Sequence, residues 1–146
     1  MDTTIPLEVL LVEDNSGEIR LTQEAFHAII PSLHFNEAVD GREAMSFLNR
    51  EGVHADAPRP DLTLLDLNLP RMDGREVLAR IKKDDSLKTL PVVILTTSDA
   101  DTDIAKSYQL HANAYVCKPL QLSAFEALAK SICDFWLTAV KLPPVQ

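Results

Sequence analysis

A chain of 146 residues, 46% of them hydrophobic, holds enough apolar material for one domain with its own core. Its formal net charge of −8 excludes a nucleic-acid binder, which needs a basic face for phosphates. The N-terminus has no basic start and no stretch approaches the roughly 20 apolar residues of a membrane span, so the cytoplasm is the expected location and no membrane partner is expected.

In chain order, "EVLLVED" (8–14) reads as an apolar strand ending in acids. "NSGEIRLTQEAFHAII" follows with helical spacing at Ile19, Phe26 and Ile30, with Asn15 or Ser16 as cap and Pro31 as stop. "LHFNEAV" (33–39) reads as a second, edge-like strand; Asp40 with Glu43 starts a helix over "REAMSFLNRE", and Gly52 stops it. After the polar loop "HADAPRP" comes a third strand, "DLTLLD", and Asp73 and Gly74 open a helix whose Val77, Leu78 and Ile81 share a face. "PVVILT" (91–96) is a fourth strand, "TDIAKSYQL" a short helix, "NAYVC" a fifth strand, and "LSAFEALAKSICDFWLTAV" one long final helix.

There is no repeat, low-complexity tract or linker, so residues 1–146 are expected to form a single domain, with a core over about 7–135 and an extended last helix and tail over about 122–146. Strands alternating with helices predict an α/β fold with a parallel sheet covered on both faces, and five such units suggest the flavodoxin-like order 2-1-3-4-5. Cys117 and Cys133 lack close spacing and are expected to be reduced core residues. The four histidines are scattered without ligand spacing, and no metal role is expected of them.

In a sheet of this kind, ligands sit beyond the carboxyl ends of the strands. Those ends carry Glu13 and Asp14, Asp66, Thr96, and Lys118 with Pro119: three carboxylates, a hydroxyl and an ammonium at one edge. Each alone has an ordinary structural explanation as a cap or a turn, but five at equivalent positions do not. Carboxylates about 4 Å apart repel by roughly 1 to 4 kcal/mol per pair, which a hard divalent cation relieves. Mg2+ (or Mn2+) is therefore the expected cofactor, with Asp14 and Asp66 as direct ligands, the Asn68 carbonyl as a third, and Glu13 acting through water. A carboxylate so placed can attack phosphorus, and Asp66 is the expected phosphoacceptor, with Lys118 and the Thr96 hydroxyl stabilising the transferred group. Thr96 would turn inward to the phosphate, and Tyr115 would fill the space it leaves.

Glu13-Asp14, "LLDLNLPRMDG", "VVILTTS" and "AYVCKP" together resemble the receiver domain of two-component response regulators. The resemblance implies the same phosphoacceptor Asp66, metal acids Glu13 and Asp14, switch pair Thr96 and Tyr115 and phosphate-binding Lys118, and a cis peptide bond before Pro119. "LDLNLPRMDGREVLARIK", "ANAYVCKP" and the tail "FWLTAVKLP" are similar, more closely, to single-domain regulators partnered by cyanobacterial phytochrome kinases, which implies a phytochrome-type histidine kinase as partner. Thr97 stands where many receivers carry a small residue and adds bulk beside the phosphate.

No DNA-binding module is expected after the last helix, so the output must be contacts. Phe125, Leu128, Ala129 and Ile132 are expected to face the core; Phe135, Trp136, Leu137 and Val140 extend the apolar pattern beyond the sheet and suggest a homodimer through the last helix and strand five. Two other functions fit an α/β fold less well. A phosphohydrolase using an aspartyl nucleophile wants a second Asp two residues on as general acid, where Asn68 stands. A flavin or nucleotide carrier wants a neutral phosphate-binding loop where "VEDNSGE" is acidic.

Overall fold

The computed structural model describes residues 6–144. Its elements are β1 (Glu8–Val12), α1 (Ser16–Ile29), β2 (His34–Ala38), α2 (Gly41–Leu48), a 3-10 turn (Gly52–His54), β3 (Leu62–Leu65), α3 (Gly74–Lys83), β4 (Val92–Thr96), α4 (Asp101–Gln109), β5 (Ala114–Cys117), α5 (Leu122–Asp134) and a π-helical turn (Phe135–Ala139). The five strands are parallel, in the order β2-β1-β3-β4-β5. No described helix is long and apolar enough to cross a membrane.

Alternation along the strands divides the core in two. Leu10, Val12, Leu65, Val92 and Ile94 meet α2 and α3 through Ala44, Phe47, Leu48, Val77, Leu78 and Ile81. Val9, Leu11, Leu62, Leu64, Val93 and Leu95 meet α1 and α5 through Ile19, Phe26, Phe125, Ala129 and Ile132. β1, β3 and β4 are thus buried on both faces, as near-continuous apolar runs require. β5 is only partly covered, because α4 buries a single residue, Ser107.

The helix starts follow the expected chemistry. Asn15 caps α1 by accepting from the Glu18 amide at 2.9 Å, and Asp40 caps α2 by accepting from the Glu43 amide at 2.8 Å. Some ends differ. α2 stops at Leu48 rather than at Gly52, because Arg50 takes the left-handed conformation (φ 55°) and a Schellman pair, Glu51 to Ser46 O and Arg50 to Phe47 O, closes the helix. α4 ends the same way on His111 (φ 70°).

The final segment is not one uninterrupted α-helix. It is α-helical to Asp134 and then widens to a π-turn closed by the Val140 amide on Phe135 O, 3.0 Å. Leu137, expected beyond the sheet, is only 8% exposed, and Trp136 is half-buried against the same cluster, because turning inward removes apolar surface from water. Phe135 stays 55% exposed, edge-on to Trp136.

Two further expectations are corrected. The Lys118–Pro119 bond is trans, like every other peptide bond among the described residues, in line with the modest trans preference of an X-Pro amide. Cys117 is exposed rather than in the core, because it ends the edge strand, and its thiol donates to Ser98 O at 3.3 Å. Cys133 is buried as expected, and burial pushes its thiol up to about 11.

Candidate functional site

The strand register assembles the site. Val12 pairs with Leu65 and Leu65 with Ile94, so β1, β3 and β4 end level. The Asp66 amide donates to Val12 O at 3.1 Å and the Lys118 amide to Thr96 O at 2.7 Å, extending the ladder one residue past the strands. Because Leu11, Leu64 and Val116 face the α1 and α5 layer, the residues two further on, Glu13, Asp66 and Lys118, project to that same side.

Ligand oxygens of Glu13, Asp14 and Asp66 all lie within 4.8 Å of one another. Lys118 Nζ is 2.5 Å from Glu13 Oε1, 3.6 Å from Asp66 Oδ2 and 3.8 Å from Glu18 Oε2. The side chains of Lys118 and Glu13 are 6% and 5% exposed, that of Asp66 14%, and Asp14 is open to solvent. Burial raises the Glu13 carboxyl above the usual carboxylate range, against the pull of Lys118. Burial works against the Lys118 ammonium too, but the Glu13 hydrogen bond and the charges of Asp66, Glu13 and Glu18 outweigh it, and its pKa is raised. Asp66 and Glu18 keep the potential at Lys118 negative even without Glu13, which favours the charged ammonium. One ammonium facing three buried or half-buried acids leaves net negative charge, and an all-oxygen cluster with one solvent-open member fits a hard divalent cation.

The Asp66 carboxylate receives the Asn68 amide at 3.4 Å, and Asn68 itself is exposed. Thr96 and Tyr115 lie on the opposite, α3-facing side. Thr96 is fully buried, and among the described residues its hydroxyl has no hydrogen-bond partner. An unsatisfied buried hydroxyl costs about 1 to 3 kcal/mol, so this group gains from any acceptor brought to it. Tyr115, paired in register with Ile94, packs against the α3-side core and donates its hydroxyl to Ser98 O at 2.9 Å. Thr97 is exposed at the rim.

Sequence reasoning did not find several positioning residues. Glu18 adds a fourth acid near Lys118. Gly74 lets the first turn of α3 lie against the backbone of Asp66 and Leu67, its amide donating to Leu67 O at 2.8 Å; a Cβ there would stand 2.1 Å from Asp66 O. Gly41 admits the other side of the same loop, since a Cβ would stand 2.0 Å from Met72 O. A glycine directly after an N-cap Asp was the available signal of close backbone approach.

Comparison with known proteins agrees with this arrangement. Residues 9–130 match the response regulator receiver domain family. The chain is 45% identical over 138 residues to the response regulator Rcp1 of Synechocystis sp., covering 94% of each. The crystal structure of phosphorylated RcpA, a cyanobacterial phytochrome response regulator, superposes with a TM-score of 0.92 at 48% identity, covering 96% of this chain and all of that one. The Mn2+-bound form of Rcp1 superposes at 0.90 with 45% identity, covering 95% of this chain and all of that one, and the acid cluster of Glu13, Asp14 and Asp66 fits a divalent ion in this chain as well. The chain belongs to the response regulator receiver-domain family and is a response regulator rather than a classical enzyme.

Proposed function

We propose that this response regulator takes a phosphoryl group on Asp66 from a phytochrome-type histidine kinase, in a divalent-ion-dependent reaction that the receiver itself catalyses. The observation that carries this reading is the site's charge geometry: Asp66 Oδ2 sits 3.6 Å from a buried ammonium, with Glu13 and Asp14 completing a cluster no wider than 4.8 Å. An Asp66 oxygen attacks phosphorus, the bond from phosphorus to the donor imidazole nitrogen breaks, and the imidazole leaves with the electron pair and takes up a proton. Lys118 and the Thr96 hydroxyl stabilise the negative charge on the transferred oxygens. A bound Mg2+ supplies charge neutralisation and a coordination position for a phosphoryl oxygen; Asp14, Asp66 and the Asn68 carbonyl would hold it, with Glu13 through water. The phosphorylated form then draws Thr96 inward, and Tyr115 occupies the space beside it.

The kinase assignment is supported by the likeness to Rcp1 and RcpA over nearly the whole chain, and a partner kinase that draws on ATP argues for a cytoplasmic location. The test is transfer from a phytochrome-type kinase autophosphorylated with labelled ATP. Label is expected on the wild-type chain within minutes and absent from Asp66→Asn; equal labelling of both would place the acceptor elsewhere. The phosphohydrolase reading lacks its acid, since Asn68 occupies that position and is exposed.

For output we propose a homodimer through α5, its π-turn and β5. Phe135, at the C-terminal end of α5, is 55% exposed, and β5 is a strand that the chain's own helices cover only in part. Val140 and Trp136 border Phe135 half-buried, while Leu137 belongs to the chain's own core. Sedimentation velocity should find wild type dimeric and Phe135→Glu monomeric with an unchanged melting curve; a Phe135→Glu variant as dimeric as wild type would remove this surface from consideration.

A further inference from the structure

Helix α4 buries one side chain and has no side-chain N-cap, so little apolar packing fixes its N-terminus. What reaches it instead is a chain of polar contacts from α3. Arg75, the second residue of α3, donates Nη1 to Asp73 Oδ1 at 3.0 Å and Nη2 to Asp103 Oδ1 at 2.6 Å. The other oxygen of Asp103 accepts the Ser98 hydroxyl at 2.7 Å. The Ser98 carbonyl in turn accepts the Tyr115 hydroxyl at 2.9 Å and the Cys117 thiol at 3.3 Å. The Arg75 and Asp103 side chains are 29% and 23% exposed, so the pair is sheltered from full solvent screening. Its hydrogen bonds hold the guanidinium above its ordinary value, Asp103 foremost, and the Ser98 and Arg75 contacts hold the Asp103 carboxyl below its own.

Both ends of this strap matter. One is the helix start whose Gly74 touches the Asp66 backbone; the other is the turn directly after Thr96, which carries the acceptor for Tyr115. We propose that Arg75 is a positioning residue: through Asp103 and Ser98 it holds the β4–α4 turn where the Ser98 carbonyl receives the Tyr115 hydroxyl, and so favours the arrangement of Thr96 and Tyr115 that accepts the phosphoryl group. The inference rests on Asp66 being the phosphoacceptor. By linkage, whatever favours that arrangement before phosphorylation raises the tendency to be phosphorylated by the same factor.

The test uses the full chain as wild type, Arg75→Gln, Asp103→Asn, the double variant and Arg75→Lys, which keeps the charge but loses the bidentate fork. Two quantities are measured: amide hydrogen exchange over residues 97–104 without phosphate, and the extent of loading at limiting acetyl phosphate with Mg2+. Each single variant should exchange faster in that segment and load roughly five-fold less, the low end of ordinary coupling factors. The double variant should be no worse than either single, because both cut the same strap, and Arg75→Lys should fall in between. Loading within two-fold of wild type, unchanged exchange, or effects that multiply in the double variant would each overturn the proposal. A wild type that never loads refutes the Asp66 assignment; a wild type that loads alongside variants that load equally refutes the strap alone.

Discussion

Gly74→Ala is expected to destabilise the protein by roughly 3 kcal/mol or more, the upper range for overpacking, and to strip the site of its divalent-ion response. The added Cβ would meet Asp66 O at 2.1 Å, Leu67 Cα at 2.7 Å and Leu67 O at 2.9 Å, all backbone atoms that no rotamer change can move aside. Relief requires the first turn of α3 to withdraw, which breaks the Gly74 to Leu67 hydrogen bond and shifts the peptide that carries the phosphoacceptor. Gly52→Ala is the control. Nothing lies within 4 Å of its Cβ, and its φ of 57° makes alanine cost only about 1 kcal/mol, with the site left whole. Urea titrations with and without Mg2+ check both; equal midpoints for the two variants would contradict the packing argument.

Lys118→Met should be the second large effect, and its size should depend on the ion. Removing the ammonium leaves Glu13, 5% exposed, beside Asp66 with no buried cation, and breaking such a pair costs on the order of 3 to 5 kcal/mol. Much of that loss should be recovered in Mg2+, because the same repulsion that unfolds the variant drives it to bind the ion. Asp66→Asn should move the opposite way: it deletes one of the repelling acids, so the metal-free protein gains roughly 1 kcal/mol, and the stabilisation by Mg2+ shrinks. Thermal melts in EDTA and in Mg2+ across the three proteins measure this. An ion-induced shift of equal size in all three would mean that the cation binds elsewhere.

How much of this was legible in the sequence follows from what kind of interaction each feature is. The strands and helices could be read because short continuous apolar runs and helices of period 3.6 are local patterns, and right-handed crossovers between five such units leave few strand orders. Asp66 stood out because a charge closes an apolar run, and Glu13 and Lys118 because the same topology brings other strand ends to the same edge. The helix end at Arg50 was missed because that residue adopts a conformation usually given to glycine, so composition carries no sign of it. The π-turn and the burial of Leu137 depend on how the last helix meets the sheet rather than on its own periodicity. Arg75 and Asp103 are 28 residues apart, and a single ion pair leaves no repeating trace in the chain.

The most direct measurement is the intact mass of the chain after incubation with acetyl phosphate, followed by peptide mapping, with Mg2+ and with EDTA. The account predicts a gain of one phosphoryl group carried by the peptide containing Asp66, in Mg2+ only, and no gain for Asp66→Asn. A gain of the same size in EDTA, or a phosphoryl group found on any other residue, would contradict it.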